Sequence, residues 1–442
     1  MRDLMVLAVL VACLPLAFTN VFAAYLLWGW TSIIALDAYV FGFMDDVRIN
    51  FIFALIALVV IVSVKDKERG EFRWNPALSL SMLLLLQGTL SASFAYDGNA
   101  GNWDLYSKFA KAIIFALIMP LMVTSRYRFH AMVVMLCLGM AFHGLIDGLK
   151  FIASGGAHIV RGLAKFGDNN HFAVVMTMVI PLLLYLYRYS AIRIVQWASL
   201  GCALVIFGTV VGTHSRGGFI ALLAVAVWLV LTSRRRIMGA ILIGLGMTVA
   251  IALAPASWTG RMETIKHIQE DSSFMQRVEA WQVSSAIALR NPFAGGGFHA
   301  VQVQPVWDRF RGETGLLGFV GVPQLPSEKF RAAHSIYFEV MGDLGLVGFL
   351  LFMALLANTL LTGIRIHRMA TRAGPEFLWA DDLARALIAV VVAFMVGGAG
   401  VSLAYSETIY VIVMLLELLK QKVSTLVAQA GPQERPRGVR RA

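Results

Sequence analysis

Three positions in this sequence combine side chains that move protons or hold phosphate with an abrupt change to apolar surroundings. His334 opens "HSIYFEVMGDLGLVGFLLF", where a polar segment runs into an apolar stretch. An imidazole accepts a proton near neutral pH and can serve as a general base. The plain alternative is that His334 and Tyr337 sit at an interface because each ring is part apolar and part wet. Arg216, in "GTHSRGGFIALL", lies between two apolar runs with almost no loop to carry it. A guanidinium there either snorkels to lipid phosphates or marks a ligand site. The neighbouring Gly217 and Gly218 allow close approach, and Arg makes forked contacts with phosphate.

Arg277 and Arg290 lie on "DSSFMQRVEAWQVSSAIALRNP", which has helical apolar spacing and ends at Pro292. Thirteen residues separate them, about 140° apart around a helix, so they cannot share one face. Arg277 is favoured as the ligand-facing member because Trp281, one turn on, could stack on a ring or a lipid. Arg290 is expected at a solvated surface and is kept only as a candidate substrate contact. In "FGDNNHFAVV", Asp168 to His171 either cap a helix or form a second polar insertion. Lys108 and Lys111 lie near one face of a helix and could attract an anionic lipid. The candidate substrate-binding residues are therefore Arg290, Tyr337, Trp281, Lys108 and His171. Glu339 and Asp343 share a helix face turned away from His334, and Gly342, Gly345 and Gly348 form a small-residue ridge for helix packing. No metal site is expected at His334, because no carboxylate or Cys lies at ligand spacing. Neither GxxxxGK[ST] nor GxGxxG occurs, and "THSRGG" is not a GxSxG elbow.

The elements that must position these groups are membrane helices. The chain has 442 residues, 59% hydrophobic and 14% charged, with a mean hydropathy of +0.74. Soluble domains carry about 25% charged residues. Apolar runs long enough to cross a bilayer recur near 4–36, 49–64, 76–93, 108–124, 130–152, 169–187, 194–212, 217–232, 237–255, 334–364, 383–404 and 406–424. With 1–36 taken as one bent crossing this makes about twelve, although Pro15 or Thr19-Asn20 could split it. The expected fold is an all-α polytopic membrane protein, one integral domain over 1–442 with a cap loop over 256–333. Cys13, Cys137 and Cys202 lie in apolar runs and read as core residues. The net charge of +11 reads as topology, not nucleic-acid binding, because the cations are scattered over short loops. "KDKERGEFR", "SRYR", "TSRRR", "RIHRMATR" and the tail "QERPRGVRRA" form one group. Placing it in the cytoplasm sends 37–48, 94–107, 153–168, "THSRGG" and 256–333 to the outer surface and leaves both termini inside. His334, Arg216 and Arg277 then share the outer face, where few cations are otherwise expected.

"SRGG" closing a span, "QRVEAW…NPFAGGGF" in a large loop and "HSIYFEVMGDLGLVGFLLF" opening the next span resemble the O-antigen ligase/polymerase superfamily over roughly 160–360, most closely its ligase branch. The resemblance implies a GT-C-like glycosyltransferase of the bacterial inner membrane with a periplasmic active site. Its implied donor is a glycan on undecaprenyl pyrophosphate, and its implied acceptor is lipid A-core oligosaccharide. It implies an inverting reaction without cofactor, metal or nucleotide, in which His334 is the base and Arg216 and Arg277 hold the pyrophosphate. Ser335 stands where the family commonly has Asn. The rivals are an O-antigen polymerase, a protein O-glycosylation ligase, and a transporter of polyprenyl-linked glycans.

Overall fold

A single residue, Asn20, divides the first apolar stretch. Its backbone is extended (φ −131°, ψ 112°) and its side chain accepts a hydrogen bond from Ala23 N, so it ends α1 (Arg2–Thr19) and caps α2 (Val21–Ile34). Pro15 stays inside α1. The computed structural model describes residues 2–96, 100–162, 168–233, 236–252, 272–320 and 328–430. The tail "QERPRGVRRA", residues 256–271 of the expected cap and the end of the 237–255 span lie outside these.

α1 and α2 fold back antiparallel. The Asp3 carboxylate accepts from Phe41 N and Met44 N at 3.3 Å each, and the Arg2 guanidinium lies over the Phe41 ring. Leu10 packs with Ile34, Leu36 and Met44. The start of the chain therefore shares an end of the bundle with residues 41–44. This corrects the expectation that Arg2 and loop 37–48 lie on opposite faces: the break at Asn20 makes a hairpin of what the apolar pattern presented as one stretch.

The remaining elements are α3 (Ile49–Ser63), α4 (Pro76–Ser93), α5 (Ala100–Met122), α6 (Arg126–Ala153), α7 (Asn169–Tyr189), α8 (Arg193–Gly212), α9 (Arg216–Thr232) and α10 (Arg236–Ala252). Then come the cap helices α11 (Ser272–Arg290) and α12 (Gln304–Phe310), followed by α13 (Ile336–Ala373), α14 (Leu378–Gly397) and α15 (Glu407–Ala430). The described residues are helical with no strand. Among the described residues, eight helices are long and apolar enough to cross a membrane: α1, α4 to α8, α13, and α14 with its flanking turns. α2, α3 and α9 are shorter apolar helices. One core runs from Ala17 to Val423, and α7, α14 and α15 bury most of their side chains in it.

The basic connections gather at one end of the bundle. There Arg128 is buried, pairing with Asp66 at 2.8 Å and Glu68 at 3.1 Å and lying over the Phe22 ring. Burial of a guanidinium is sustained by such paired carboxylates. Arg188 meets Asp382 at 2.8 Å, and Arg385 donates to Thr232 O at 2.6 Å and pairs with Asp381. The opposite end carries the cap, whose small core joins Val283, Ile287, Val301, Trp307 and Phe310.

Candidate active site

The site begins at a break in α13. Gly345 has φ 72° and ψ −174°, a conformation open essentially to glycine alone, so the helix is interrupted two residues after Asp343. Backbone groups freed there bond to the cap turn "NPFAGGGF": Gly296 N donates to Gly342 O at 2.9 Å, Gly297 N to Asp343 O at 3.1 Å, and Val347 N to Pro292 O at 3.1 Å. From α4, Ser91 donates to Asp343 O and Gln87 to Leu344 O. Backbone polar groups in an apolar setting must find partners, and these do. The expected glycine ridge is thus two things. Gly342 packs against Ser284 of α11, where a Cβ would come within 3.1 Å, and Gly345 breaks the helix.

This docking fixes Glu339 and Asp343, both buried. Glu339 accepts from Ala404 N at 3.1 Å; Asp343 accepts from Ala300 N at 3.2 Å and Tyr405 OH at 3.1 Å. Glu339 nevertheless lines the same cavity as His334, which corrects the expectation that its face is turned away. The reason is that His334 precedes the helix and does not follow its periodicity.

His334 is half-buried and has φ 44°, a left-handed conformation uncommon for a residue with a Cβ. The Trp281 indole donates to Ala333 O at 2.7 Å and its ring stacks on Phe338 at 5.1 Å. Tyr337 OH donates to Met395 O at 2.9 Å. Trp281 and Tyr337, expected as substrate contacts, thus anchor the segment that carries His334, and neither lines the cavity. Burial pushes the His334 imidazole below the ordinary histidine range; Asp168 opposes this and the Arg277 guanidinium adds to it. Burial thus favours the neutral imidazole, the form that can accept a proton.

Arg277, half-buried, lies against the turn at Gly400, where a Cβ would be 3.5 Å from its guanidinium. Arg290 points elsewhere: it is exposed and pairs with Glu313 at 3.2 Å. The two guanidiniums diverge, as their spacing requires. Arg216 starts α9, whose N-cap Ser215 accepts from Gly218 N at 3.0 Å and donates to Asn170 Oδ1 at 2.7 Å. Asn169 donates to Thr213 O at 2.8 Å, and Asp168 caps α7 by accepting from His171 N. "THSRGG" and "DNNH" are thereby stitched together. Ser215→Ala removes both side-chain bonds and is expected to cost about 1–2 kcal/mol. Thermal unfolding in detergent checks this.

A cavity of about 920 Å³ lies beneath the cap, within the size range of ligand sites. His334, Glu339, Asp168, His171 and His299 line it, together with Lys108, Lys111, Arg48, Asn50, Trp28 and Glu407. His171 and Lys108 were expected at a substrate site, whereas Arg48 was missed because loop 37–48 carries no motif. Arg216 and Arg277 stand outside the cavity lining. Ala35, His299 and His334 all line the cavity with positive φ, and His214 beside Arg216 is the fourth such non-glycine residue among those described. Strained backbone concentrates where the surrounding structure holds functional groups in place. Among the described residues, no group of three or more His, Cys, Asp or Glu is placed to hold a metal ion.

Residues 201–353 match the family model described as O-antigen ligase. Over those residues the chain is similar to the O-antigen ligase/polymerase superfamily. Members of that superfamily are glycosyltransferase-like ligases and polymerases, with lipid-linked glycans as substrates and a membrane setting. A family of unknown function matches residues 1–191, and no curated protein matches the chain. Residues 201–353 supply Arg216, Arg277, His299, His334 and Glu339. Arg48, Lys108, Lys111, Asp168 and His171 come from the other matched segment, so the cavity is built from both.

Proposed function

We propose that the protein is an O-antigen ligase. It moves a glycan from undecaprenyl pyrophosphate to an acceptor hydroxyl, on lipid A-core oligosaccharide, at the periplasmic face of the bacterial inner membrane. The observation that carries this is His334 inside the segment similar to the superfamily, its neutral form favoured by burial in a cavity wall within electrostatic reach of Arg277. The whole chain acts as one integral membrane unit, with residues 256–333 as its periplasmic cap. The acceptor oxygen attacks the anomeric carbon and the bond from that carbon to the pyrophosphate oxygen breaks, with inversion. His334 takes the acceptor hydroxyl proton and releases it to water; the electron pair leaves on the polyprenyl pyrophosphate. Arg216 and Arg277 stabilise the charge that develops there.

The pH profile tests this assignment. Transfer requires neutral His334, so the rate is flat above neutrality and falls on an acid limb lying below the ordinary histidine value of about 6.5. Arg277→Gln removes a positive charge that lowers the His334 pKa, so its limb moves to higher pH, in addition to a lower plateau. A limb unmoved by Arg277→Gln, or a wild-type profile flat through pH 5, contradicts the roles given to this pair.

A further inference from the structure

The cavity wall carries three cations that the reaction as proposed does not use. Arg48, at the start of α3, and Lys108 and Lys111, on α5, line it together. Among the described residues none of their side chains has a hydrogen bond or an ion pair, which leaves five N–H donors on the Arg and three on each Lys unspent. The carboxylates of the same cavity are engaged. Asp168 accepts from His171 N and Asn170, Glu339 accepts from Ala404 N, and Glu407 accepts from Ser32. The three cations pair with none of these carboxylates and so remain open to an anionic group, at the end of the bundle away from the basic loops. Lys108 also contributes, after burial, to lowering the His299 pKa, so its field reaches the His299–His334 side of the space.

We infer that Arg48, Lys108 and Lys111 form a second anion subsite, distinct from Arg216 and Arg277, which binds a phosphate group on the acceptor glycolipid. This rests on the ligase function proposed above. The donor's pyrophosphate is then held on the α9 and α11 side of His334 and the acceptor's anion on the α3 and α5 side. Neutral polar groups of the same lining, Asn50, Ser402 and Ser406, are suited to sugar hydroxyls.

The test compares a glycolipid acceptor bearing phosphate monoesters with the same acceptor after dephosphorylation, using wild type and the triple variant Arg48→Gln, Lys108→Gln, Lys111→Gln. Each charge-assisted contact is worth about tenfold or more, so the triple variant raises KM for the phosphorylated acceptor by about 10–100-fold or more. The KM for the dephosphorylated acceptor and for the donor stays the same. A rise in donor KM instead assigns the cations to the donor's pyrophosphate and overturns the inference, as does an equal effect on both acceptors. Binding of each acceptor to detergent-solubilised protein, followed by quenching of tryptophan fluorescence, decides independently of turnover. Tighter wild-type binding of the phosphorylated form, abolished in the triple variant, supports the subsite, and equal binding of the two forms overturns it. Absence of any glycosidic product from wild type with this preserved binding contradicts only the ligase function.

Discussion

His334→Asn is expected to lower glycan transfer by about 10²–10⁴-fold, the usual contribution of a general base, without unfolding the protein. Asn is chosen because residue 334 has φ 44°, and Asn is among the few residues with a Cβ that tolerate the left-handed region. Ala there would mix backbone strain with loss of the imidazole. The Trp281 bond to Ala333 O and the stacking of Trp281 on Phe338 do not involve the imidazole, so the segment keeps its course. The rate loss should therefore appear in kcat, with donor KM close to wild type and an unchanged elution profile in detergent. Transfer by His334→Asn at the wild-type rate would remove His334 from the chemistry.

Gly345→Ala is expected to have the largest effect on stability. At φ 72° and ψ −174° a Cβ is disfavoured before any contact is counted, and here it would lie 2.6 Å from Pro292 O and 2.8 Å from Gly295 N. Both atoms are backbone, so no rotamer change relieves the clash. Restoring helical angles at residue 345 would instead pull Gly342 O and Asp343 O from the Gly296 and Gly297 amides. Strain together with lost buried hydrogen bonds costs about 3 kcal/mol or more. Gly345→Ala should therefore elute as aggregate or unfold at a markedly lower temperature. Gly217→Ala is the control: a Cβ at 217 meets nothing closer than Ser215 Oγ at 4.0 Å, and its unfolding should match wild type. If Gly345→Ala unfolds like wild type, the cap is not held by this break.

Much of this architecture was legible because apolar length and caps are local signals. The helices from 49 to 232 begin and end within a few residues of the apolar runs, except that α5 starts eight residues before its run, at Ala100; Asp168 and Ser215 cap as their types suggest, and the run before Pro292 is α11. The divergence of Arg277 and Arg290 followed from helix angle alone. Features that depend on backbone conformation at one residue were not legible. Gly345 sits at a packing spacing with Gly342 and Gly348, and only the docked cap turn makes it a break. Asn20 resembles any polar residue in an apolar stretch until its extended angles turn 1–36 into a hairpin and carry Arg2 to the cavity end. An aromatic ring beside a charge fits either a ligand contact or an anchor, and the hydrogen bonds of Trp281 and Tyr337 to Ala333 O and Met395 O, which show them anchoring, join residues 52 and 58 positions apart. The cavity itself draws residues from Trp28 to Thr408, and no spacing rule connects segments that far apart.

Bond transfer at the cavity that His334 lines is tested most directly by product stoichiometry in detergent. Purified protein is mixed with a lipid-linked glycan donor and a lipid A-core acceptor. Glycosylated acceptor and released undecaprenyl pyrophosphate are then counted over time. The account predicts that the two appear in equal amounts, and that both fall together in His334→Asn. Intact donor and unmodified acceptor from wild-type protein, with movement of donor across the bilayer once the protein is returned to vesicles, would contradict it and indicate transport.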